Sequence, residues 1–129
     1  RSVEARAARS VALAHAGLGR IEQAERAAAI AIELAEALGS EMALGLAHEA
    51  RARIALVAED SAGFHLHAAL AAKHLRSTGA ASLAAVAERV LEAGSASHSG
   101  RALRQAADIS DDVTSLSQLA TSHEAEDSP

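Results

Sequence analysis

Proline occurs once in this 129-residue chain, at Pro129, whereas alanine fills 36 positions. Alanine has the best helix propensity and proline the worst, so local energetics favour helix along most of the chain. With no internal proline and no run of β-branched residues, helices end only where glycine and polar caps end them. Large apolar side chains number 28, namely 15 Leu, 6 Val, 5 Ile, Met42 and Phe64. A core so poor in bulk can pack only if helix axes come close, toward the ~8 Å lower end of the usual range. Helical hairpins stacked side by side meet that demand better than a bulky globular core. The expected fold class is therefore all-α.

Glycine and small polar residues recur regularly. Ser2 can cap a first helix that runs to about Ala16, and Gly17-Leu18-Gly19 forms a turn. A second helix spans about Arg20 to Leu38, and Gly39 stands where a left-handed C-terminal cap wants glycine. Ser40 opens a third helix to about Ala58, Glu59-Asp60-Ser61 breaks it, and a fourth runs from about Ala62 to Arg76. Thr78-Gly79 closes the fourth, and Ser82 starts a shorter fifth that ends at Gly94. Gly39 and Gly79 lie 40 residues apart, and the two other turns about 42 apart. Two antiparallel helical hairpins plus a closing helix at a near-constant period make an internal repeat of the kind that builds helical solenoids.

Apolar spacing agrees. Ile21, Ala24, Ala28, Ala31, Ala35 and Leu38 form one face of the second helix, and Ile30, Leu34 and Ala37 a second. Ala43, Ala47, Ala50, Ile54 and Val57 make a stripe on the third helix, and Phe64, Ala68, Ala71 and Leu75 on the fourth. A helix apolar on two sides is covered on both, which would put the second helix inside the stack. The end faces, Val3, Ala7 and Val11 at one end and Leu83, Val86 and Val90 at the other, are expected to need covering.

The segment Gly19-Arg20-Ile21-Glu22-Gln23-Ala24, followed by Ala28 and Ala31, resembles the turn and second helix of a tetratricopeptide repeat. Ala52, Ala55, Ala68 and Ala71 fall at similar places in the next hairpin. Three departures stand out: the period exceeds the family's usual 34, Phe64 replaces a small residue, and the first-helix aromatics are missing. The likeness covers roughly residues 3 to 94. Residues 49 to 91 also resemble the terminal repeats of large multidomain bacterial signalling proteins from high-GC organisms. The resemblance implies a concave surface lined by the first helix of each hairpin. Its groove-facing positions would be Arg6, Arg9 and Leu13, joined by Glu49 and Arg53 from the third helix.

Residues 95–129 differ in kind. The stretch from Gly94 to Gly100 reads as a flexible linker. The tail carries Arg101 and Arg104 against six acidic residues, a net of −4, whereas residues 1–94 hold ten basic and eleven acidic groups. Ser110 or Asp111 can cap a short helix, about 110–120, with Val113, Leu116, Leu119 and Ala120 on one face. Either this is a docking helix that lays its apolar face in a groove, or it is a disordered linker with transient helicity. Beyond Thr121 disorder is expected.

Charge and composition narrow the function. A net charge of −5 and a single aromatic residue disfavour nucleic acid. The longest apolar run, Ala27 to Ile32, is far short of the ~20 residues a bilayer demands. Cysteine is absent, which rules out disulfides and thiolate zinc sites and fits a reducing, cytoplasmic setting. No signal peptide is visible, and a start at Arg1 without Met suggests part of something longer. Seven histidines invite a metal, but no His-x-x-x-His or Glu-x-x-His pair falls within one helix, so exposed or partly packed rings are expected. His15, near the first turn, could cap the carbonyls that end the first helix. The serines around His98 sit in a linker that fixes no geometry, and Gly17-x-Gly19 follows no strand, so neither a catalytic centre, a phosphate loop nor a cofactor site is indicated.

The chain therefore reads as a non-catalytic protein–protein interaction module, part of a larger bacterial signalling or regulatory protein, that binds a peptide or partner domain. The alternative is a homodimerisation domain of such a protein. A small-molecule sensor is weaker, since no convergent polar cluster is visible in the sequence.

Overall fold

A computed structural model describes residues 2–95 of the chain. By internal packing the chain divides after Ser95. The expected docking helix, with Val113, Leu116 and Leu119, and the acidic tail lie outside the described residues.

Five helices and no strand occupy residues 2–95: α1 Ser2–Gly17, α2 Ile21–Leu38, α3 Glu41–Val57, α4 Ser61–Ser77 and α5 over 81–95. Their ends follow from local chemistry. The Ser40 hydroxyl accepts the Ala43 N–H at 3.0 Å, and the Asp60 carboxylate accepts the Gly63 N–H at 2.9 Å, each satisfying an orphan donor of a first turn. After α1, the N–H groups of Leu18, Gly19 and Arg20 donate to the carbonyls of Ala14, His15 and Ala16, so backbone, not the His15 ring, closes this end. Positive φ among the described residues occurs at Gly19, Gly39, Glu59 and Gly79. These four are spaced 20 residues apart, one after each of the first four helices. The half-repeat is thus uniform, and Glu59 occupies a left-handed position where its neighbours in the series are glycine.

α1 packs on α2 and α3 on α4 as two hairpins; α2 and, to a lesser extent, α1 pack on α3. Ala12, Ala16, Ala24, Ala27 and Ala28 meet Ile54 between the hairpins. Ala52, Ala55, Phe64, Ala68, Ala71 and Val90 form a second cluster, and Ala72, Leu75 and Ala87 a third, so α5 closes the stack against α3 and α4. Alanine dominates all three.

Three packing expectations fail. The interior helix is α3, buried at Gly45, Ala47, His48, Ala50, Ala52, Ile54 and Ala55, and not α2. Along α2 the buried residues are Ala24, Ala27, Ala28, Ala31 and Ala35, while Ile30 is 51 % exposed and Ala37 is exposed. Val57, placed in the α3 stripe, is also exposed. At the far end, Leu83, Val86 and Val90 do not wait for cover; they pack inward, because a closing helix has one apolar stripe and buries it. At the near end Val3, Ala7 and Val11 are exposed, as anticipated, with Val3 at 65 %.

Candidate partner-binding cleft

α1, α3 and α5, the first members of successive hairpins, share one side of the stack. Between them lies a cleft of about 390 Å³, lined by Arg9, by Leu46, Glu49, Arg53 and Leu56, and by Val86, Arg89, Val90 and Ala93. Its floor is aliphatic and its rim is basic. A second cleft of about 450 Å³ shares Arg9 and Leu46 and extends along α1 and α3 past Arg6, Met42 and Ala47 to Leu38.

Electrostatics organise the junction of the two clefts. Arg9 donates from Nη2 to Glu49 Oε1 at 3.1 Å and from Nε to the Leu46 carbonyl at 3.2 Å, tying α1 to α3. Arg53 reaches the other Glu49 oxygen at 3.2 Å, one helical turn away. The Glu49 side chain is 12 % exposed and is clamped by two guanidinium groups, so the single carboxylate of the main cleft is already neutralised. Arg53 and Arg89 stay exposed at the rim, which leaves the cleft with surplus positive charge.

Of the positions named from sequence, Arg9, Glu49 and Arg53 come together in one ion-pair network, and Arg6 lines the adjoining cleft. Leu13 is half-buried and lines neither. Leu46, Leu56 and Arg89 are not among the positions that the resemblance implies, and Val86 belongs to the apolar stripe of α5 expected to form an end face.

The seam between α3 and α4, away from the cleft, holds a histidine cluster. His48 of α3 is buried, and its ring stacks between His67 and His74 of α4, with centroids 5.2 Å and 5.9 Å away and planes within 21°. His48 Nδ1 and His67 Nδ1 are 3.0 Å apart, a hydrogen bond in which one ring donates and the other accepts. His74 Nδ1 sits 2.7 Å from Glu41 Oε1, and the Ser77 hydroxyl donates to the same oxygen. Those two hydrogen bonds hold the Glu41 carboxyl below its ordinary value. Burial lowers His48 to about 4, with His67 and His74 adding to the effect, and burial likewise lowers His67, helped by Arg51. The expectation of exposed or partly packed histidines thus fails at His48. Spacing within one helix could not show a ring meeting two others from the next helix.

Among the described residues, no group of three or more His, Cys, Asp or Glu side chains is arranged to hold a metal ion, and no helix is long and apolar enough to cross a membrane. No protein-family model, curated protein or solved structure matches this chain.

Proposed function

We propose that the chain is a non-catalytic protein–protein interaction module, a tetratricopeptide-like repeat that binds a peptide or partner domain in the α1–α3–α5 cleft. The supporting observation is the cleft itself: half-buried Leu46, Leu56 and Val86 make an apolar floor, and Arg53 and Arg89 rim it. Such a surface suits a segment that offers aliphatic side chains flanked by carboxylates. The likeness of residues 19–31 to a tetratricopeptide repeat supports the module, and that of residues 49–91 to terminal repeats of bacterial signalling proteins adds the setting, a cytoplasmic regulatory assembly. Selection of binders from a random peptide display library tests the reading. Enriched peptides should be acidic and should lose at least about tenfold in affinity on Arg53→Glu with Arg89→Glu, a loss of ~1.4 kcal/mol or more. Binders indifferent to that double reversal would contradict it.

A second reading, self-association through the first hairpin, rests on one asymmetry. Val3, Val11 and Ile30 are about half exposed or more at the α1–α2 end, whereas α5 turns Glu88, Arg89 and Glu92 to solvent, with Leu91, 37 % exposed, as its one large apolar residue there. A stack with one apolar end closes as a two-fold pair and does not extend into a filament. Light scattering over a dilution series separates the readings, since the cleft module alone stays monomeric at every concentration.

A further inference from the structure

Small residues pack the α3–α4 seam around the buried ring of His48, and the half-buried rings of His67 and His74 stack on it. His48 is 7 % exposed, and its Nδ1 contact with His67 at 3.0 Å requires that at least one of the two rings lack a proton at that nitrogen. With both rings protonated the contact becomes donor against donor, and a cation would be shut inside a seam where, among the described residues, no carboxylate lies at hydrogen-bond distance from His48. The third ring differs, because His74 has a counter-charge in Glu41 at 2.7 Å. Other charges around the cluster are Arg51 on α3, which disfavours a proton on His67, and Asp60 at the start of α4, which favours one. α2 contributes Glu25, which is tied to Arg51 at 3.5 Å. Glu49, adjacent to His48 in sequence, is engaged by Arg9 and Arg53 in the cleft instead.

We propose that the His48–His67–His74 stack is an acid-labile latch, which holds α3 against α4 at neutral pH and releases that seam when His48 and His67 take up protons. The idea stands independently of what the cleft binds. The sign follows from linkage. A histidine ordinarily titrates near 6.5, and His48 in the folded chain near 4, so the unfolded chain binds more protons between those values. The stability tied to the neutral ring is complete above about pH 6.5 and is lost as pH falls toward 4. His67, also lowered, acts in the same direction.

The test is urea unfolding of the 129-residue chain from pH 7.5 to pH 4.5, compared with His48→Asn and with the exposed control His65→Asn. Asparagine places an amide near the Nδ1 position but cannot take up a proton. Between those limits the unfolding equilibrium constant of the parent and of His65→Asn should rise on the order of tenfold more than that of His48→Asn. Equal pH dependence of all three proteins would overturn the latch. Should His48→Asn fail to fold, an NMR titration of the parent decides. A His48 ring that stays neutral through pH 6 and charges only as α3–α4 amide signals collapse supports the latch. A ring that charges near pH 6.5 in an intact fold refutes it.

Discussion

Phe64→Ala is expected to cost about 3–5 kcal/mol, the largest loss of any single truncation in the second hairpin. Phe64 is the one aromatic residue of the chain and is 4 % exposed. Its neighbours in the cluster are Ala52, Ala55, Ala68, Ala71 and Val90, and its ring fills the space that a Cβ on Gly94 would need. Alanine neighbours have no rotamers with which to fill a void, so the cavity left behind stays open and its full cost is felt. A domain of this size has ~5–14 kcal/mol of total stability, and the variant would sit at the margin of folding. Equilibrium denaturation with the parent slope m retained is the measurement. A loss under about 1.5 kcal/mol would mean that the ring is not the keystone between α4 and α5.

Gly45→Val is expected to cost about 1–3 kcal/mol or more, against the trend that replacing a mid-helix glycine helps. A Cβ on Gly45 would stand 2.5 Å from Leu75 Cδ2, 2.6 Å from its Cγ and 3.1 Å from its backbone nitrogen. Leu75 is fully buried and cannot swing away, so α3 and α4 would have to part. Relief should appear in a Leu75→Ala background, where the extra methyls enter space that leucine vacates. The two substitutions should therefore couple favourably, by at least ~0.5 kcal/mol in a double-mutant cycle. Additive effects would place Gly45 away from Leu75.

These two positions also show what the sequence disclosed. Gly39, Gly79, Ser40 and the Glu59–Ser61 break marked helix ends, because left-handed φ and unpaired N–H groups are local demands met by local residues. The identity of the interior helix was not local. Two apolar stripes suggested α2, yet in a chain this rich in alanine, burial follows smallness, since close axes admit Gly45, Ala47, Ala50, Ala52 and Ala55 all round α3. The larger Ile30 and Leu34 of α2 stay toward the outside. Size was the better guide than hydropathy. The same logic would have pointed to His48: flanked on its face by Gly45 and Ala52, it sits in a seam too narrow for solvent. In the cleft, Arg9, Glu49 and Arg53 followed from the resemblance to tetratricopeptide groove positions, whereas Arg89 depended on how α5 docks.

α3 packs against its hairpin partner α4, against α1 and α2 of the first hairpin and against α5; it forms the central wall of the cleft and carries the buried ring of the latch. Native-state hydrogen exchange tests that claim most directly, because amide protection ranks helices by the free energy needed to open them. Amides from 47 to 55 should exchange most slowly of all those in residues 2–95, with the amides of α2 around Ile30 clearly faster. Slowest exchange centred on α2, with α3 no better protected than α5, would contradict the arrangement of the stack and the cleft and latch built on it.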